Sequence, residues 1–438
     1  MVESKYNYYI TDDDDKCVIC LNGISRKIFS VEIKTFTFLK QLFTDEELQK
    51  EEPEIVKWLV NMCFLVNDNK SETDYLLKLN RENATSGLYH LVINPTQDCI
   101  FRCWYCYETH LQSRMDGNVI ENIKKLIVKT LDREDISQFM LGWFGGEPLM
   151  YFDEIVYPLS RFAKHEAESR GKKFFCTMTT NGFLLSENLI KQCKEFDLNS
   201  LQITLDGDEK NHNKTRNRNG EPSFQKILDN CINYCSYSVD NRLVLRINYT
   251  DRIIKTDFSE VLENIPADLR PQIEVQFKRV WQTYDIKKEK TPEGLLQNME
   301  KLRNKNFKLA YHLDMNFVRG CLCYADRKNY ANINFDGKVY RCTAMDYNAA
   351  NSLGYLDNEG NIIWNDGKIR GMEDKAYFED TKCMDCNLLP VCGGPCFMRK
   401  YQSITQNKDF CVKDKLDSDI SVFVKQYYRT VQKNKSII

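Results

Sequence analysis

Between residues 88 and about 280 the chain alternates six times between strand-like and helix-like runs, and no other feature limits its fold so tightly. The strand-like runs are LYHLVIN (88–94), QFMLGWF (138–144), FFCTMTT (174–180), LQITL (201–205), RLVLRINY (242–249) and QIEVQF (272–277). Helical patterns such as NVIENIKKLIVKTL and SENLIKQCKEF fill the gaps. Strands separated by helix-length crossovers run parallel, so an α/β fold follows, either an open sheet or a partial barrel. In barrels of this kind chemistry gathers where strands end, at their C-terminal edges.

The flanks read differently. In residues 1 to about 85, YNYYIT and CVICLNG predict two strands across a solvated Asp-rich turn, DDDDK, followed by helices over VEIKTFTFLKQLF and EEPEIVKWLVNMC. Cys17 and Cys20 have redox-motif spacing, but three residues apart on a strand they point to opposite faces, so they read as ordinary thiols. After a helical stretch at 293–305 the alternation stops. Residues 320–412 lack long periodic segments and are rich in cysteine, a pattern in which metal replaces part of a core. DSDISVFVKQYYRTVQ predicts a final helix. There is no internal repeat.

Lysine and arginine number 61 against 63 acidic residues, which argues against a nucleic-acid-binding surface. No signal-peptide core and no membrane-length apolar run is present, so a soluble, cytoplasmic protein without a membrane partner is expected. In a reducing compartment, 18 cysteines point to metal or chemistry rather than disulfides. Three open the alternating region and eight lie between Cys321 and Cys411.

The first three, Cys99, Cys103 and Cys106, fall in DCIFRCWYCYE directly after the first strand. A structural zinc site needs four ligands; three thiolates leave a metal with an open position. All-sulfur sets suit zinc or iron–sulfur clusters, and a four-iron cluster on three thiolates would keep one iron free. Buried structural thiols are the plain alternative, disfavoured by Asp98, Arg102 and Glu108 in the same loop.

Cys-x3-Cys-x2-Cys after a first strand resembles the signature of radical S-adenosylmethionine (radical SAM) enzymes. The resemblance implies a [4Fe–4S] cluster on these thiols, S-adenosyl-L-methionine (SAM) on its free iron, and reductive cleavage of SAM to a 5′-deoxyadenosyl radical. Further stretches carry it. Tyr105 matches the aromatic position near the adenine. Gly145-Gly146-Glu147-Pro148, closing the second strand, is similar to the family's GGE motif; glycines let a backbone approach a ligand closely, and the carboxylate can accept from an ammonium. Thr180-Asn181-Gly182 matches a recurrent turn, with Asn181 a cofactor contact, although a plain strand-ending turn fits too. ITLDG resembles a segment that usually carries serine where Thr204 stands. Thr204 and Arg216 then match positions holding SAM's carboxylate and ribose end. Arg246 and Asn248 on the fifth strand are within reach or structural.

The later cysteines read Cys323, then Gly337-x4-Cys342, then Cys383-x2-Cys386-x5-Cys392-x3-Cys396, then Cys411. This spacing resembles that of SPASM domains, which implies two auxiliary [4Fe–4S] clusters and three in all. Cys383, Cys386, Cys392 and Cys411 would hold the outer one, and Cys323, Cys342 and Cys396 the inner one. Cys321 could be the inner cluster's fourth ligand; otherwise that cluster keeps an open iron. A two-zinc ribbon also fits eight cysteines. Of the histidines only His212, in the LDG…H segment, falls in a stretch that recurs in the family. Cys63, Cys176, Cys193, Cys231 and Cys235 occupy apolar strand or helix positions and read as inert core.

The expected organisation is therefore a small winged-helix-like N-terminal α/β domain that recognises peptides (1–85), a partial (β/α)6 TIM-type barrel (86–310), a SPASM domain (311–415) and a C-terminal helix (416–438). The resemblance implies a maturase that takes hydrogen from a ribosomally made precursor peptide, bound through its leader by strand addition, to install a thioether or carbon–carbon crosslink. An external one-electron reductant is required. No residue is assigned as catalytic acid or base. A sulfatase-maturing enzyme, oxidising Cys or Ser in a protein, and a non-catalytic metal-stapled binding protein are the alternatives.

Overall fold

In a computed structural model, residues 1–12, 16–283, 293–310, 323–369, 379, 381–406, 411 and 420–435 are described. They fall into two compact units: residues 1–84, 311–326 and 374–438 in one, and 85–310 with 327–373 in the other.

The first unit opens with three antiparallel strands, β1 (Asn7–Asp12), β2 (Cys17–Asn22) and β3 (Ile28–Glu32). Helices α1 (Ile33–Leu42), α2 (Glu46–Glu51), α3 (Pro53–Asn61) and α4 (Asn69–Ala84) follow. Asp45 caps α2 by accepting from the backbone N–H of Glu47 and Leu48. The strand β3 takes Val31 and Glu32, which the sequence pattern assigned to a helix; Ile28, Phe29 and Val31 are β-formers, and the helix starts only at Ile33. Helix α4 also escaped the sequence reading. The two faces of β2 are dressed separately, as its alternation requires. Cys17, Ile19 and Leu21 join one apolar cluster, Val18 and Cys20 another with Leu39, Leu59 and Phe64. Residues 13–15 of the DDDDK turn lie outside the described residues, but Asp12 pairs with Cys17 across it.

The second unit is built on eleven strands. Six parallel strands follow one another in sequence order across the sheet: β4 (Leu88–Ile93), β5 (Gln138–Trp143), β6 (Lys173–Thr180), β7 (Leu198–Leu205), β8 (Arg242–Tyr249) and β9 (Ile273–Arg279). Helices such as α5 (Gly117–Leu131), α6 (Tyr157–Ser169), α7 (Glu187–Cys193), α8 (Glu209–Thr215) and α9 (Phe224–Tyr237) make the crossovers. The final helix of this series, α10 (Glu293–Asn304), leads to β10 (Lys308–Ala310), a short seventh parallel strand too brief to show a period in sequence. At the other edge β11 (Tyr330–Ile333) pairs parallel with β4, and β12 (Lys338–Tyr340), β13 (Gly354–Leu356) and β14 (Ile362–Trp364) continue antiparallel.

Strands in sequence order, rather than reversing from a centre, define a partial (β/α) barrel and not a doubly wound sheet. Its two faces differ in chemistry. One row across the sheet, Ile93, Trp143, Met178, Leu201, Leu243 and Ile273, is wholly buried. The alternate positions carry Thr177, Thr179, Gln202, Thr204, Arg246 and Gln276. The apolar face supplies the core; the polar face is free to line a site. Cys176, Cys193, Cys231 and Cys235 are buried as expected, whereas Cys63 sits half-buried in a turn after α3 with φ 63°, not on a strand or helix.

In the first unit, residues 381–406 form two four-residue helices, one of them α11 (Leu389–Cys392), and a ten-residue helix, and the last described helix is α12 (Ile420–Lys435). Phe423 and Val424 of α12 pack with Tyr8, Ile19 and Leu21 of the N-terminal sheet. No helix among the described residues is long and apolar enough to cross a membrane.

Candidate functional site

The loop after β4 holds Cys99, Cys103 and Cys106, and local contacts fix its shape. The Asp98 carboxylate accepts from the Cys99 N–H (2.8 Å) and from Arg102 (2.9 Å), and Cys106 N–H closes a turn on the Cys103 carbonyl (2.9 Å). Phe101 is buried and meets Phe183 edge-on at 5.7 Å. Beyond the cysteines, Thr109 binds Asp346 and Tyr107 donates to the Thr343 carbonyl, tying the loop's far end to the β12–β13 connection.

The GGE turn after β5 packs on this loop. A Cβ at Gly146 would lie 1.8 Å from the Asp98 carbonyl oxygen, and one at Gly145, where φ is 81°, 2.6 Å from that of Thr96. The close approach that requires these glycines is thus to the cysteine loop's own backbone. Glu147 N–H donates to the Asp98 carbonyl (2.8 Å), and Gly146 N–H to Glu108 (3.0 Å). The Glu147 side chain is fully buried and accepts from Thr180 Oγ1 (2.6 Å), Asn181 N (2.7 Å) and Leu149 N (3.0 Å). Its carboxylate therefore clamps the end of β5 to the end of β6. Burial pushes its pKa up against those three donors. Asn181, its backbone held by this clamp, donates its side-chain N–H to Cys99 Sγ at 3.7 Å.

Tyr105 is the hub of a second network. Its hydroxyl donates to Asp206 (2.7 Å) and accepts from Arg216 (2.8 Å) and Asn248 (2.9 Å). Arg216 also pairs with Asp206 at 2.7 Å, both side chains nearly buried. Arg246 Nε donates to Asn248 Oδ1 (2.9 Å), which turns the Asn248 amide N–H toward Tyr105. Thr204 stands beside Arg246 across β7 and β8. His212 is buried in the same region: Nδ1 accepts from Asp206 N–H (3.3 Å), Nε2 meets Ser223 Oγ (3.0 Å), and Ser223 donates to the Arg216 carbonyl (2.6 Å). This chain fixes where Arg216 leaves its helix. Burial and the nearby Arg216 charge push the His212 pKa down to about 3, so it serves as a neutral strut.

Cys99, Cys103, Cys106, Tyr105, Gly145, Gly146, Glu147, Asn181, Thr204 and Arg216 thus all lie at or beside the C-terminal strand ends. Asp206, Asn248, Arg246 and Glu108 join them. In the sequence Asp206 is the Asp of ITLDG at a strand end, and Glu108 stands two residues after Cys106. Burial pushes the Glu108 pKa up to about 7. It also pushes the Cys99 thiol up to about 12 and Cys106 to about 11, with Cys103 raised too, while the Arg216 charge pulls all three down. The thiols are reduced, neighbouring and faced by a cation, which fits a thiolate-ligated cluster; binding must displace their protons. Among the described residues, no three His, Cys, Asp or Glu side chains are gathered tightly enough to hold a single metal ion.

The later cysteines divide between the units. Cys323, Cys383, Cys386, Cys392, Cys396 and Cys411 belong to the first, Cys342 to the second. Cys386 N–H closes on the Cys383 carbonyl (3.1 Å), the same turn as Cys103–Cys106. Burial raises the Cys392 thiol to about 11, with Cys386 and Cys411 close enough to add to the shift. Asp326 accepts from Phe397 N–H (2.8 Å) and from Cys323 N–H (3.3 Å), drawing the Cys323 and Cys396 segments together. Cys342 Sγ accepts from Ala344 N–H (3.3 Å) after β12. Gly337 has φ 75° in the tight turn between β11 and β12. Cys321 lies outside the described residues.

Comparison with known proteins agrees with this geometry. The chain is 25% identical over 354 residues to the cysteine-type anaerobic sulfatase-maturating enzyme of Clostridium novyi, covering 73% of this chain and 92% of that one. It is 29% identical over 153 residues to the serine-type enzyme of Bacteroides thetaiotaomicron, 32% of this chain and 35% of that one. The solved structure of native anSMEcpe with bound AdoMet shares the fold, with a TM-score of 0.58 and 17% identity over 80% of this chain and all of that one. Residues 93–263, from the end of β4 past β8, match the radical SAM superfamily.

Proposed function

We propose that the chain is a radical SAM peptide maturase, acting on a ribosomally made precursor peptide to install a thioether or carbon–carbon crosslink. When bound, a [4Fe–4S] cluster at Cys99, Cys103 and Cys106 supplies the electron that cleaves SAM to a 5′-deoxyadenosyl radical, the hydrogen-abstracting species. The chain's own residues hold and orient. Asn181 directs an N–H at Cys99 Sγ, Arg216 sets a positive charge beside the thiols, and Tyr105 is held by its hydroxyl with its ring against the exposed Trp104 at 5.4 Å. Glu147 has three donors on it already, so its part here is to shape the SAM pocket through the Thr180–Asn181 turn. The polar face of the sheet, with Gln202, Thr204 and Arg246, offers hydrogen bonds to a peptide lying across the strand ends. Auxiliary clusters at the later cysteines would take up the electron left on the substrate, and an external reductant would recharge the site.

The observation that carries the peptide reading is the N-terminal sheet. Three antiparallel strands followed by α1–α3 precede the family match, and among the described residues β3 is an edge strand of that sheet, the position strand addition uses. A sulfatase-maturing activity is the second reading, favoured by the similarity over 92% of the Clostridium novyi protein. Reconstituted full-length protein, SAM and a low-potential reductant separate the two. A short peptide encoded beside the gene should lose hydrogen and gain a crosslink by mass spectrometry, only while its leader is attached. Conversion of a sulfatase-type Cys or Ser peptide to an aldehyde, with the neighbouring peptide untouched, would establish the second reading instead.

A further inference from the structure

We propose that the start of the N-terminal sheet, through Lys5 and Tyr6 in the turn before β1 and Tyr8 on β1, positions the Cys383–Cys392 segment and tunes an iron–sulfur cluster held there. This rests on the reading of Cys383, Cys386 and Cys392 as cluster ligands. Those thiols are in one compact unit with residues 1–84. Lys5 Nζ donates to the Met384 carbonyl at 2.9 Å, between the two cysteines of the Cys383-x2-Cys386 turn. Tyr8 Oη donates to the Asn387 carbonyl at 2.6 Å, directly after Cys386. Tyr6 is fully buried in a cluster with Leu76 and Leu389, against which Cys383 and Met384 pack. Tyr8 lies in another cluster with Val391, against which Cys392 packs. Gly23, which pairs with the Tyr6 carbonyl at 2.9 Å, leaves no room for a side chain: a Cβ would lie 2.9 Å from the Tyr8 ring and 3.1 Å from Pro390.

Lys5, Tyr6 and Tyr8 each reach the cysteine segment, and two of them donate to backbone carbonyls inside it. The helices there are four residues long, too short to fix their own geometry. Lys5, Tyr6 and Tyr8 supply what they lack. The barrel loop has a parallel arrangement, since Arg102 donates to the Cys99 and Phe101 carbonyls around its own cysteines. A thiolate-ligated cluster gains negative charge on reduction, so the Lys5 ammonium favours the reduced form. It follows that a peptide bound to the N-terminal sheet and a cluster on Cys383–Cys392 share one structural element.

The test uses the full chain carrying Cys99→Ala, Cys103→Ala and Cys106→Ala, so that only auxiliary iron remains, reconstituted anaerobically with iron and sulfide. Lys5→Met should keep its iron but reduce at a more negative potential in an EPR-monitored titration, with Lys5→Arg returning to the parent value. Tyr8→Phe, which removes one hydroxyl and no charge, should release iron to a chelator several-fold faster. Lys5→Met at the parent potential, together with Tyr8→Phe at the parent release rate, overturns the proposal. A parent chain that takes up no auxiliary iron overturns the ligand assignment itself, and the proposal with it.

Discussion

The two cysteine-bearing regions are built on opposite principles. The 98–108 loop hangs from a parallel sheet, and its neighbours are fixed before any metal arrives. Glu147 is buried and satisfied by Thr180 and Asn181, Asp206 and Arg216 are buried and joined to each other and to Tyr105, and even the glycines are dictated by the packing of one loop on another. The 381–392 segment has only four-residue helices, and residues of the N-terminal sheet and α12 pack beside it. Regular structure preorganises the first region; the second needs outside support and, on our reading, iron.

This contrast can be broken experimentally. The largest effect is expected from removing iron. Chelation should raise amide exchange in 381–406 by orders of magnitude while β4–β9 keep their protection, because metal binding there is folding energy. Equal protection in both regions with and without iron would erase the distinction. Next comes Arg216→Ala, which leaves Asp206 buried without its cation. It should destabilise the barrel by about 3–5 kcal/mol in denaturant unfolding, with or without iron. Gly146→Ala should follow, at about 1–3 kcal/mol, since the Asp98 carbonyl must move to admit the methyl. The last effect is absent at neutral pH and appears only on acidification. Burial holds the His90 and His212 pKa values at about 3, below the ordinary 6.5. The unfolded chain therefore binds more protons between those values, and barrel stability should rise with pH across that window and level off above it. His212→Gln should flatten part of the slope.

What sequence made legible follows the same division. Six strands were readable because each is an apolar run with a helix behind it, and a row such as Ile93–Trp143–Met178–Leu201 has to be buried. The strand β3 was missed because Val31 continues without a break into a helix that has no side-chain cap at Glu32. The site's motif residues were visible by spacing, but two of their contacts were not. Glu147 accepts from Thr180 and Asn181, and Gly146 stands against the Asp98 carbonyl. Such contacts join strands far apart in sequence, and no local pattern encodes them. In the C-terminal region the cysteine spacing was plain, yet nothing local announced that Tyr6 and Tyr8 would pack against it.

The central claim is that Cys99, Cys103 and Cys106 carry the SAM-cleaving centre while the later cysteines do not. Anaerobically reconstituted protein, given SAM and reductant, should form 5′-deoxyadenosine; the Cys99→Ala, Cys103→Ala, Cys106→Ala variant should form none while keeping its auxiliary iron signal. Formation of 5′-deoxyadenosine by that variant, or its absence from the fully loaded parent, would contradict the account.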